Sequence, residues 1–330
     1  MNRQINPQSP DGLFRLIQQV KENYVVLPQT TPKRGKPRFY SGLSFLLLAV
    51  VAVALRSFKD CELHRLLERD PALRNELGFQ QLPHRTTIGR RLHSVVEEAE
   101  AQVTALGTQI VKEVQPHGDC SEVSALDGRM YQAQGPRWHK RFRKTGRVPV
   151  GLRNVDTESA WFKSGYRGWI QGYRLLLQGL VFPHPVPIWA AWRRNDEGEA
   201  TIAERAIKEQ RLRVTEVLLG DATFGGPKLV QAYKAAGGWV LTPKQLPKKR
   251  RSWKDDLYAY RKQTIELLFQ RVIQSCDLKA CPVKGLNRNG GFVIVSVWLY
   301  QIIFLRNYRE GKSVAQIKDA IDCARWRLAA

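Results

Sequence analysis

Two short apolar runs in this chain each deliver an aspartate next to a glycine: Ser124-Ala125-Leu126-Asp127-Gly128 and Val217-Leu218-Leu219-Gly220-Asp221. Runs of this length read as strands, and each places a carboxylate at a strand end, where the backbone can hold it rigidly. A third acid, Glu266, falls within Arg261-Lys262-Gln263-Thr264-Ile265-Glu266-Leu267-Leu268-Phe269, which reads as a helix. At about 100° per residue, Ile265, Leu268, Phe269, Val272 and Cys276 form one apolar stripe, with Glu266 at its edge.

Three carboxylates on two strands and a helix suit phosphodiester cleavage, which needs a nucleophilic oxygen and stabilisation of the leaving 3′ oxygen. Two Mg²⁺ (or Mn²⁺) about 3.5–4 Å apart can do both, and Mg²⁺ takes oxygen ligands while keeping some waters. In this reading Asp127 is shared by both ions, Asp221 completes one shell and Glu266 the other. Taken singly, each acid has an ordinary explanation. An aspartate such as Asp221, before Ala222-Thr223-Phe224-Gly225-Gly226, commonly caps a turn, and a lone helical glutamate usually faces solvent. Only the combination points to a site.

The charge balance supplies a partner. Lys plus Arg total 53 against 30 Asp plus Glu, a net charge of +23, which implies a polyanion, with nucleic acid the first choice. At 43% hydrophobic the chain can bury a sizeable core. Its five cysteines (Cys61, Cys120, Cys276, Cys281, Cys323) are irregularly spaced, so a reducing compartment is expected rather than a disulfide framework. Cys276 and Cys281 have no second Cys/His pair nearby to complete a zinc site. The first residues lack the apolar core of a signal peptide. The most apolar run, Leu43–Leu55, is shorter than the ~20 residues needed to span a bilayer and reads as a buried helix.

The expected organisation is a polar segment 1–40, an all-helical DNA-binding or dimerisation domain 41–117, an α/β domain 118–310 and a helical tail 311–330. Leu13–Tyr24 reads as a short helix and Thr30–Arg38 as a basic connector. Cys61–Arg69 is amphipathic, and Asp70-Pro71 ends it. Thr86 or Thr87 is a plausible N-cap for a following helix that carries Arg90 and Arg91, a helix-turn-helix-like order. Pro116-His117-Gly118 closes the helical region. Beyond it, strands are expected at Val123–Tyr131, Gly168–Val181, Val186–Trp192, Val214–Leu219 and Trp239–Thr242. Helices are expected at Ala200–Arg213 and Pro227–Ala236. The order β-β-β-α-β-α-β-α resembles an RNase H-like mixed sheet flanked by helices. Two basic loops interrupt it. Arg137–Arg147 carries Arg137, Lys140, Arg141, Arg143 and Lys144 alongside Trp138 and Phe142. Lys244–Lys254 carries Lys248, Lys249, Arg250, Arg251 and Trp253. Cations mixed with aromatics favour phosphate tracking and base stacking.

With these segments in place the sequence resembles a DDE transposase of bacterial insertion-sequence type. Ala125-Leu126-Asp127-Gly128 resembles the first-aspartate strand, and Leu218-Leu219-Gly220-Asp221-Ala222-Thr223-Phe224 the second. Asp156-Thr157-Glu158-Ser159-Ala160-Trp161, leading into Trp169-Ile170-Gln171-Gly172-Tyr173-Arg174, resembles the family's Asp-x-x-Ala…Gly-Tyr-Lys stretch. Lys262–Phe269 resembles the glutamate helix, and the whole likeness spans roughly 40–305. It departs from the family pattern at Lys262, where Arg is expected, at Ile273, where Lys is expected, and at Ala259, which lies between Tyr258 and Tyr260 where one Tyr is expected. The resemblance implies binding of double-stranded DNA at the element's terminal inverted repeats, Mg²⁺-dependent strand cleavage by water, and transfer of the freed 3′-OH ends to target DNA. It also implies a homodimer, no membrane, and a cytoplasmic, nucleoid-associated location. Arg90, Arg91, the basic loops, Arg261 and Lys262 are then the candidate DNA contacts. Two other readings share these residues: a metal-dependent nuclease that cuts without joining, and an inactive or domesticated transposase that only binds DNA.

Overall fold

The computed structural model describes residues 12–26, 39–115, 122–165, 168–246 and 251–325. Among them six strands make one sheet: β1 (Val123–Gln132), β2 (Ala160–Ser164), β3 (Gly168–Leu180), β4 (Val186–Arg194), β5 (Val217–Leu219) and β6 (Trp239–Leu241). The order is β2-β3-β1-β5-β6, with β4 also paired to β3. β1, β2 and β4 run antiparallel to β3, whereas β1, β5 and β6 are mutually parallel. Long antiparallel strands followed by two short parallel ones added beside the first strand are the RNase H-like arrangement, as the sequence order implied. β2 was not among the expected strands.

The strands alternate between two apolar faces, as a period of two requires. Ala125, Tyr131, Leu175 and Leu177 point into the larger core, and Leu126 and Leu176 into the smaller one. The smaller core is closed by α8 (Glu199–Lys208) and α9 (Pro227–Ala235). The larger takes in α1 (Gly12–Glu22), α2 (Gly42–Leu55), α3 (Asp60–Arg69), α4 (Pro71–Glu76), α5 (Arg85–Leu92) and α6 (Val95–Val114). On the C-terminal side α10 (Trp253–Cys276), α11 (Leu286–Arg309) and α12 (Ile317–Arg325) join the same core, and a short helix α7 (Lys140–Lys144) lies in the first basic loop. The N-terminal helices and the sheet therefore share one interior. Where they meet, α6 lies so close to β4 that a side chain on Gly107 would stand 2.3 Å from the Ile188 carbonyl.

The apolar run at 43–55 is buried throughout Phe45–Ala54, as expected. α11 is long and apolar enough to cross a membrane, but it is buried inside the protein and serves as a core helix. The N-cap of α5 is His84 rather than Thr86 or Thr87, because His84 is still extended and its ring accepts from Thr86 N. α8 stops at Lys208, short of the expected Arg213, where Gln210 adopts a positive φ of 54°. The basic connector Thr30–Arg38, the break at Pro116–Gly118, Cys120, and Lys248, Lys249 and Arg250 lie outside the described residues.

Candidate active site

β5 pairs with β1 only from Val123 to Ala125, and β1 continues to Gln132 without it. The sheet opens at that point, and Asp127 sits at the opening. One Asp127 oxygen accepts from Gly128 N at 2.9 Å, and the other pairs with Arg261 of α10 at 2.9 Å. Asp221 follows β5 after Gly220. It caps the short 3₁₀ turn Ala222–Gly225 by accepting from Thr223 N at 2.8 Å. The ordinary capping role and the site role thus coexist in one residue.

The third carboxylate brought here is Glu199, the first residue of α8. One oxygen atom from each of Asp127, Glu199 and Asp221 lies within 4.8 Å of the others. Gly128 makes this possible, because a Cβ at that position would stand 2.2 Å from Glu199 Oε1. Arg174 of β3, only 1% exposed, holds Glu199 through Nε at 3.2 Å, donates to the Glu197 carbonyl at 2.8 Å and packs over Phe162. Sequence reasoning missed Glu199. Its one signal is an acid after a glycine at a helix start, and Asp196 and Glu197 beside it compete equally until the fold is known.

Burial and repulsion between carboxylates raise the proton affinity of Glu199 and Asp127. Glu199 is pushed up to about 7, first by burial and then by the charges of Asp127 and Asp221, with Arg174 opposing. Asp127 is also raised, chiefly by burial, against Arg261 and the Gly128 hydrogen bond, with Asp221 and Glu266 adding to the rise. An all-oxygen, partly buried set of carboxylates on rigid elements fits a hard divalent cation such as Mg²⁺ or Mn²⁺.

Glu266 sits on α10, whose stripe of Ile265, Leu268, Phe269, Val272 and Cys276 is buried as expected, and its own side chain is exposed. It is not one of the three clustered acids, but its charge reaches Asp127. Tyr258 faces the same opening: its hydroxyl is raised by burial and feels Arg261, Asp221 and Asp127.

The other expected DNA-binding residues divide. Arg90, Arg137, Arg141, Lys144 and Lys262 are exposed. Arg143 pairs with Asp196 at 3.2 Å, Arg251 pairs with Asp256, and Arg91 packs over Phe45 at 4.9 Å. Trp253 is 61% exposed beside Trp239. Trp138 is buried, with its indole donating to Arg147 O at 3.0 Å, so it anchors the first basic loop and is not a stacking surface. Of Lys140 only the backbone in α7 is described. Asp156 is buried and structural, accepting from the Tyr173 hydroxyl at 2.7 Å and from Gly285 N at 3.1 Å. Cys276 and Cys281 are buried free thiols, both with raised pKa from burial.

No family profile matches the chain, and no curated protein matches it in sequence. Among solved structures it is similar to a piggyBac transposase synaptic complex with hairpin DNA: TM-score 0.40, 11% identity, 97% of this chain and 81% of that one. It is also similar to the Mos1 strand transfer complex (TM-score 0.28, 11% identity, 90% and 79%). A Mos1 mariner paired-end complex with Mn gives TM-score 0.23 at 13% identity, covering 87% and 85%. All three scores lie below 0.5, and the fold assignment rests on the strand order.

Proposed function

We propose that this protein is a DDE transposase of insertion-sequence type that cuts DNA strands at its element's ends and joins the 3′-OH ends to target DNA. The observation that carries the reading is the meeting of Asp127, Glu199 and Asp221 at the open edge of an RNase H-like sheet. The +23 charge supports a DNA partner. Asp127, Asp221 and Glu199 would hold a divalent cation, and Glu266 from α10 would add a further carboxylate beside them. Divalent cations held there supply Lewis-acid chemistry to the attacking and leaving oxygens. The protein's own groups do the rest. Arg174 keeps Glu199 against Gly128, the α10 stripe anchors Glu266, and Arg261 and Lys262 take phosphate oxygens as the strand enters. Two copies acting on two ends, in the cytoplasm and on the nucleoid, complete the proposal.

The test is strand cleavage and joining on labelled duplexes carrying the element's end, in Mg²⁺ and with chelator. Wild type is expected to cut and join only with the metal. Asp127→Ala, Asp221→Ala, Glu199→Ala and Glu266→Ala are expected to bind DNA and not cut. Cutting without joining would favour the nuclease reading, and binding without metal-dependent chemistry would leave a DNA-binding protein alone.

A further inference from the structure

Of the two arginines paired to the clustered acids, one is sealed and the other is not. Arg174 is 1% exposed, packs over Phe162 and donates to the Glu197 carbonyl at 2.8 Å. Arg261 is 14% exposed, and its Nη2 lies 2.9 Å from Asp127 Oδ2. Its Nε is buried with no hydrogen-bond partner among the described residues. Resting on the cation-site and DNA readings above, we propose that Arg261 is a gate. It occupies Asp127 in the free protein, and an entering DNA phosphate draws it away and so admits the divalent cation.

The competition follows from the carboxylate's capacity. Asp127 Oδ1 already accepts from Gly128 N at 2.9 Å. A cation entering among Asp127, Glu199 and Asp221 must take Oδ2 from Arg261 or sit beside a guanidinium at contact distance. Like charges that close repel, the more so in a partly buried site. Either way the ion pair holds down the cation affinity of the free protein.

Arg261 is also placed to leave. It lies on the stretch of α10 that precedes the buried stripe, between exposed Tyr260 and Lys262. Its long side chain can turn outward while the helix stays where it is. A phosphate offers what one Asp127 oxygen does not: a pair of oxygens matched to the guanidinium fork, one of which can take the Nε hydrogen left unpaired in the free protein. If DNA binding and cation binding both require Arg261 to leave Asp127, each strengthens the other by the same factor. The cutting site then loads on bound DNA and stays poorly loaded without it.

The test starts with Mn²⁺ binding followed by electron paramagnetic resonance, without DNA, for wild type, Arg261→Gln and Lys262→Gln. The last removes the same charge one residue along the helix. Arg261→Gln is expected to bind Mn²⁺ about tenfold tighter than wild type, and Lys262→Gln within about twofold of it. A gain in affinity at unchanged stoichiometry is not what a misfolded variant gives. The linkage is read from a fluorescent mixed-sequence duplex, as its affinity in Mn²⁺ divided by its affinity in chelator. That ratio is expected to be about tenfold larger for wild type than for Arg261→Gln, since any direct effect of Mn²⁺ on the DNA is common to both. Equal or weaker Mn²⁺ binding by Arg261→Gln would make Arg261 a fixed support of Asp127 and overturn the gate, with the cation site left standing. Equal ratios for the two proteins would also overturn it. If neither protein takes up Mn²⁺, the cation-site reading itself fails and the gate falls with it.

Discussion

Glu199 should make folding stability depend on pH across a range where ordinary carboxylates no longer titrate. Its pKa is pushed from 4.5 to about 7, and each pH unit of such a rise is worth about 1.4 kcal/mol, so the total is about 3 kcal/mol. The sign follows from which state holds the proton. Between those two values the native state keeps a proton on Glu199 that the unfolded chain has released. This contribution is fully present below 4.5 and is lost as pH rises through about 7. Glu199→Gln imitates the protonated acid, can still accept from Arg174, and has no proton to lose. In urea unfolding with chelator present, the variant should gain about 3 kcal/mol relative to wild type between about pH 4.5 and 8, because contributions from groups remote from Glu199 cancel in the difference. At pH 8, added Mg²⁺ should recover much of the wild-type deficit and stabilise the variant less. A wild-type-to-variant difference that stays flat across this range would refute the burial and repulsion argument for this site.

Further expectations concern separate parts of the account. Gly128→Ala puts a methyl group 2.2 Å from Glu199 Oε1, so it should abolish metal-dependent cutting while circular dichroism shows an intact fold. Asp156→Ala strands the Tyr173 hydroxyl and the backbone donors of Glu158 and Gly285, and should cost about 3 kcal/mol or more by urea unfolding. Replacing exposed Arg137, Arg141 and Lys144 together by Gln should make the dependence of log affinity on log salt shallower by about 0.9 for each phosphate no longer neutralised, up to roughly 2.7 for duplex DNA.

The sheet was readable because its strands are short apolar runs bounded by turn residues, and the buried helix at 43–55 because it is continuously apolar. β2 escaped because Ala160–Ser164 is brief and mixed in polarity, and its place is set by pairing with β3 rather than by its own pattern. α11 was missed although it is long and apolar. Its all-round apolarity carries no amphipathic period, since it is buried on every side. At the site, Asp127 and Asp221 stood out through the strand-Asp-Gly and Gly-Asp contexts. Glu199 could not, because its role depends on two facts from distant sequence: that residue 128 lacks a side chain and that Arg174 of β3 reaches it. Similarly, Trp138 looked like a stacking residue from composition and is an anchor because its indole hydrogen and ring are used internally.

The central claim is that these acids form a divalent-cation site, and Mn²⁺ binding followed by electron paramagnetic resonance tests it without DNA or any knowledge of the element's ends. The account predicts that wild type removes Mn²⁺ from the free signal. Asp127→Asn, Asp221→Asn and Glu199→Gln should each weaken that binding strongly, and Glu266→Gln should lower the number of ions bound. A wild-type protein that leaves the free Mn²⁺ signal unchanged, or a Glu199→Gln variant that binds as tightly as wild type, would contradict it.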